Sequence, residues 1–188
     1  MSQLIHAACF DLECSHLCAN FGIILCAVVK PASGEVKIIR GDALNKNWST
    51  KRSDDSAVCK AIAKELVQYD ILAAHNGSNF DLPFLRSRLA AHGLPAFPVK
   101  KLIDPLQLAR NHFRLSSNSL ASLGDFLPLK TQKTPVSGRV WMRAALDGDR
   151  RAMDEIVEHC VKDVELLEEV AMCLKQYSTV FNPRGSGW

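Results

Sequence analysis

The chain has 188 residues, of which 47% are hydrophobic and 23% charged, with a formal net charge of +3. Such proportions belong to a globular protein with a full-sized core, and they argue against a disordered or disulfide-stapled chain. The longest apolar run, Phe21 to Val29, is far too short to span a bilayer. The first residues, Met1 to His6, lack the basic and apolar regions of a secretory leader. The seven cysteines are odd in number, and five (Cys9, Cys14, Cys26, Cys160 and Cys173) lie in or beside apolar segments. That usage suits reduced thiols in a cytoplasmic protein. One domain over residues 1–178 is expected, followed by a tail at 179–188.

In chain order the elements read as an α/β fold. Leu4 to Leu12 and Phe21 to Lys30 are apolar runs of strand length. Turn chemistry at Pro31 to Gly34 leads into a third strand, Glu35 to Arg40, and the close spacing predicts an antiparallel meander. Asp54 or Asp55 opens a helix through Ala57, Val58, Ala61, Ile62 and Leu66, at helical spacing. Ile71 to Ala74 is a short buried strand. Asn79 reads as the N-cap of a helix over Leu82 to Ala91, which Gly93 and Pro95 end. Leu102-Ile103 is a further short strand, with Pro105 well placed to start the next helix. Ser119 to Phe126, Val140 to Leu146 and about Met153 to Tyr177 read as helical, with a basic loop from Pro128 to Arg139.

Three segments put acidic residues where a purely structural role is strained. In Phe10-Asp11-Leu12-Glu13 the carboxylates sit inside a strand, where ionised groups are costly to bury. The period of two places Asp11 and Glu13 on one face and Leu12 on the other. Asp81 falls in the first turn of a helix directly after a buried strand, and Asp163 lies inside the last helix, four residues after His159.

Taken in this order, Asp-x-Glu, His75-Asn76 before Phe80-Asp81, and His159 before Asp163 resemble the motifs of the DEDD 3′–5′ exonucleases. These enzymes have an RNase H-like fold, a mixed five-stranded sheet flanked by helices. The resemblance runs from Phe10 to about Leu174 and is nearest to the group related to the exonuclease domain of family B DNA polymerases. It implies a hydrolase that uses two divalent ions, Mg²⁺ or Mn²⁺, and releases nucleoside 5′-monophosphates from a free 3′ end. Asp11 would bridge both ions, Glu13 and Asp163 would hold one, Asp81 would act from the far side, and His159 would serve as the base. The resemblance favours single-stranded DNA, with RNA as one alternative and a non-catalytic nucleic-acid-binding module as another. The general-base position departs from both familiar patterns, a Tyr four residues before the final Asp or a His five before. This chain has His159 at minus four and Glu158 at minus five, and helical periodicity turns Glu158 away.

Around this nucleus stand further candidates. Leu12 is a core residue of the first strand that the resemblance also implies as a wedge at the terminal base, Phe80, Asn76 and Asn79 could line the substrate end, and Asp104 is either a supporting group or the cap of the next helix. Charge is divided unevenly: residues 1–85 carry 8 basic and 9 acidic side chains, residues 86–151 carry 12 and 4, and residues 152–188 carry 3 and 7. A basic middle beside a carboxylate cluster suits a polyanion groove, with Lys130, Lys133 and Arg139 as candidate phosphate contacts. Cys14-Ser-His16-Leu-Cys18 lacks a second ligand pair at finger spacing and reads as a loop, not a zinc site. The tail ending in Trp188 is a candidate docking segment for a protein partner.

Overall fold

The computed structural model describes residues 5–131 and 137–178, so Lys133 and the tail at 179–188 lie outside the described residues. Strands β1 (Ala7–Cys14), β2 (Ile24–Pro31), β3 (Lys37–Arg40), β4 (Ile71–Ala73) and β5 (Lys101–Ile103) form one sheet in the order β3-β2-β1-β4-β5. The first three are the expected antiparallel meander, and β4 and β5 add in parallel to β1. The fold is the mixed α/β sheet flanked by helices that the pattern predicts. Helices α1 (Gly41–Leu44), α2 (Ser56–Leu66), α3 (Asp81–Ala91), α4 (Pro105–His112), α5 (Leu120–Phe126), α6 (Arg139–Met142) and α7 (Arg150–Leu174) complete it. Among the described residues no helix is long and apolar enough to cross a membrane.

The sheet divides the core in two. Phe10, Leu12, Ile24 and Val29 face one side, against Ile62 and Leu66 of α2 and Leu85 and Leu89 of α3. Leu25, Cys26 and Val28 face the other, against Met153, Ile156, Cys160 and Val164 of α7. Helix α7 buries a stripe recurring every three or four residues along its 25-residue length. Truncating one fully buried side chain there, such as Ile156, is expected to cost about 2–5 kcal/mol. Asp149 caps this helix by accepting from the N–H groups of Arg151 and Ala152.

Several boundaries differ from the sequence reading. Phe21 is 76% exposed and lies in the β1–β2 loop rather than in β2. The helical stretch after Gly138 is one turn of α-helix followed by a π-helical turn, Arg143–Asp147. Asn79 does not cap α3: Phe80 holds that position without a side-chain bond, while the Asn79 amide donates to Asn76 Oδ1.

Candidate active site

Because β1, β4 and β5 run in parallel, their carboxyl ends open on one sheet edge, where ligands of such sheets commonly bind. Asp11 and Glu13 lie at the end of β1, beside a register shift between Glu13 and Cys14. The strand's alternation sends Leu12 into the core at 4% exposure. The Leu12 N–H donates to Asp81 Oδ1 at 3.1 Å and ties β1 to the start of α3.

A tight loop after β4 delivers Asp81. Asn76 adopts φ +61°, a left-handed conformation that asparagine tolerates better than most residues. A Cβ on Gly77 would meet that of Ala74 at 2.4 Å, so only glycine fits the turn. Asp104, at the end of β5, holds the loop from below. Its carboxylate accepts from Asn76 N at 2.8 Å and from Ser78 Oγ at 2.7 Å, and it also caps α4 through Leu106 N at 3.1 Å. One Asp104 side chain therefore both supports the loop and caps the next helix.

The third contribution comes from α7. His159 and Asp163 are one turn apart, both buried, and His159 Nε2 lies 3.7 Å from Asp163 Oδ2 and 4.0 Å from Glu13 Oε1. Cys160, on the same turn, sets its thiol 3.3 Å from Asp11 Oδ2. Donor atoms of Asp11, Glu13 and Cys160 all lie within 4.8 Å of one another. Glu158 is exposed and pairs with Lys162 at 2.6 Å, away from the cluster, as the helical period requires. The structure thus gathers Asp11, Glu13, Asp81, His159 and Asp163 from three distant segments.

Electrostatics reflect that crowding. Burial, and then the nearby Asp11 charge, push the Asp81 carboxyl well above its usual value, against the Leu12 N–H that favours the ion. The Cys14 and Cys160 thiols are also driven up, first by burial; the neighbouring carboxylates raise both further. Neither thiol has the depressed pKa of a nucleophilic cysteine.

The remaining candidates sit farther out. Asn76, Asn79 and Phe80 are on the loop leading into Asp81, with Asn79 exposed and Phe80 packed on Phe84. Arg139 is exposed at the start of α6, two residues before Trp141. The backbone N–H of Lys130 is anchored to Glu169 of α7. Sequence reading missed Trp141, whose indole N–H donates to Glu13 Oε2 at 2.8 Å. It also missed the buried Asp55, which accepts from Ile24 N and Arg88 and contacts His92, locking β2 to α3.

A family model described as the RNase_H superfamily matches residues 8–174. The chain belongs to the RNase_H superfamily. The resemblance read from the three motifs is borne out at that level, and with it the RNase H-like fold. Among solved structures the chain is similar to the family B DNA polymerase from the hyperthermophilic archaeon Pyrobaculum calidifontis. That match has a TM-score of 0.71 at 15% identity and covers 93% of this chain and 25% of the polymerase. The chain therefore spans a quarter of that protein's length, and at this identity the likeness concerns the fold. No curated protein matches the chain by sequence. RNase H-like nucleases are in general hydrolases that use divalent metals on nucleic acid, and Asp11, Glu13 and Cys160 form a group here whose donor atoms could hold an ion.

Proposed function

We propose that the protein is a metal-dependent 3′–5′ exonuclease that shortens single-stranded nucleic acid, DNA in preference to RNA, and releases nucleoside 5′-monophosphates. The reading rests on one observation: Asp11, Glu13, Asp81 and Asp163 meet at the carboxyl edge of the sheet, with His159 between Glu13 and Asp163. The donor set is predominantly hard oxygen, which fits Mg²⁺ or Mn²⁺. Burial, and then the Asp11 charge, raise Asp81, and a bound cation would offset both. Two such ions, held by the four carboxylates, would neutralise charge developing on the phosphoryl group and its leaving oxygen.

The chain's own groups do the rest. His159 Nε2 accepts a proton from the attacking water, and the carboxylates of Glu13 and Asp163 stabilise the resulting imidazolium. The water oxygen bonds to phosphorus as the bond to the 3′ oxygen of the preceding nucleotide breaks. That oxygen leaves, takes a proton from solvent water to become the 3′ hydroxyl of the shortened strand, and the terminal nucleotide departs as its 5′-monophosphate. Asn76, Asn79 and Phe80 would border the strand end, and Lys130, Lys133 and Arg139 would contact its phosphates. The domain would comprise residues 1–178, the segment 179–188 would be the place for a protein partner, and the protein would work in the cytoplasm.

The test uses matched single-stranded DNA and RNA labelled at the 5′ end, with Mg²⁺ or Mn²⁺. Stepwise shortening and free 5′-mononucleotides are expected, fastest on DNA, and absent for Asp163→Asn. Internal fragments would indicate an endonuclease, and retarded complexes without product a binding module.

A further inference from the structure

We infer that Trp141 is a positioning residue of the carboxylate centre, acting through Glu13; the inference deepens the metal-centre reading and rests on it. Glu13 is a long, flexible side chain on a strand that breaks register immediately after it, so the strand alone does not fix its carboxylate. The indole N–H of Trp141 takes Oε2 at 2.8 Å, across 128 residues of sequence. The other oxygen, Oε1, is then the one that faces His159 at 4.0 Å. The same indole meets the His159 ring edge-on, perpendicular to it, with centroids 5.7 Å apart. One side chain thus sets both the carboxylate and the imidazole.

The chemistry of the donor matters. A lysine or arginine at this point would hold Glu13 but compete with a cation for its charge. An indole N–H is neutral and only donates, so it orients the carboxylate and leaves it anionic. Such outer partners of metal-binding carboxylates commonly govern affinity.

Trp141 is itself held firmly. Its neighbours Val140 and Ala144 are buried against Met153, Ile156 and Cys160 of α7. The π-helical turn that follows, Arg143–Asp147, is a local irregularity of a kind often found at functional sites. Arg52 grips that turn by donating to the carbonyl of Ala145 at 3.2 Å, and Trp48 donates to that of Gly148 at 3.3 Å. Two side chains of the loop between α1 and α2, far in sequence from the catalytic motifs, thereby help to aim one indole at Glu13.

Titration with Mn²⁺, followed by calorimetry, tests this on the full chain. Trp141→Phe keeps the ring packing and removes the N–H, and should weaken Mn²⁺ binding by roughly 10–100-fold. Turnover that falls at low Mn²⁺ should return largely at saturating Mn²⁺, which a general loss of structure would not allow. Equal affinity in the variant and the unaltered chain would overturn the inference. Absence of Mn²⁺ binding by the unaltered chain would overturn the metal-centre reading as well. A second measurement avoids altering Trp141. In the ¹⁵N-labelled protein the Trp141 indole resonance should move toward that of an unbonded indole in Glu13→Ala, and an unmoved resonance would refute the contact.

Discussion

Asp104 offers the most direct test of how the site is built. Replacing it with alanine removes the acceptor on which both the loop before Asp81 and the start of α4 depend. The Leu106 N–H is buried, and losing its cap costs about 1 kcal/mol. The Asn76 N–H is half-buried and held in a left-handed turn, so leaving it without an acceptor adds about 1–2 kcal/mol. Ser78 is exposed, and water can replace its two bonds at a cost of about 0.5 kcal/mol. The total, about 2–4 kcal/mol, corresponds to a fall in Tm of roughly 5–15 °C for a chain of this size. Asp104→Asn, with its oxygen in the place of Oδ1, keeps the bonds from Asn76 and Leu106 and should lose well under half as much, whereas Ser78→Ala should lose less than about 1 kcal/mol. Calorimetric unfolding of the three variants without metal measures this. A Tm for Asp104→Ala within a degree or two of the unaltered protein, or an equal fall in Ser78→Ala, would refute the account of the loop.

His159→Ala should cut turnover by roughly 10²–10⁴-fold with Mn²⁺ binding retained, and Glu158→Ala, which alters only an exposed pair with Lys162, should do little; the reverse pattern would put the wrong residue at the centre. Asp81→Asn should raise the metal-free Tm at neutral pH. Because the folded protein holds this carboxyl above its usual 3.8, Asp81 costs stability above that range and nothing once both states are protonated. The gain should therefore vanish as pH falls to about 4, and a gain that persists in acid would count against charge repulsion as its cause. Neutralising Lys130, Lys133 and Arg139 together should lower the salt dependence of single-strand binding by about 0.7 in log–log slope for each phosphate no longer engaged, and an unchanged slope would move the strand elsewhere.

What the amino-acid sequence determined by itself is what depends on local period. A strand turns its side chains by half a revolution per residue, so Asp11 and Glu13 share a face and Leu12 enters the core, whatever packs around them. A long helix repeats every 3.6 residues, so His159 and Asp163 had to align, and Glu158 had to point outward. Those periods, together with the order of three acidic motifs, made the fold and the five central residues legible. What only the tertiary structure decided is what depends on contacts between segments far apart in the chain. Trp141 sits in a helix of a single turn, too short to show a period, and it reaches Glu13 because α6 packs on α7. Asn79 carries the side chain of a cap, yet Asn76 and Asp104 between them shape the loop and leave Asn79 exposed. Asp55 lies at the start of a helix, like many capping residues, but Arg88 and His92, more than thirty positions later, draw it into the core. Hydrogen bonds of this kind form wherever packing brings donor and acceptor together, and nothing in the spacing of residues along the chain announces them.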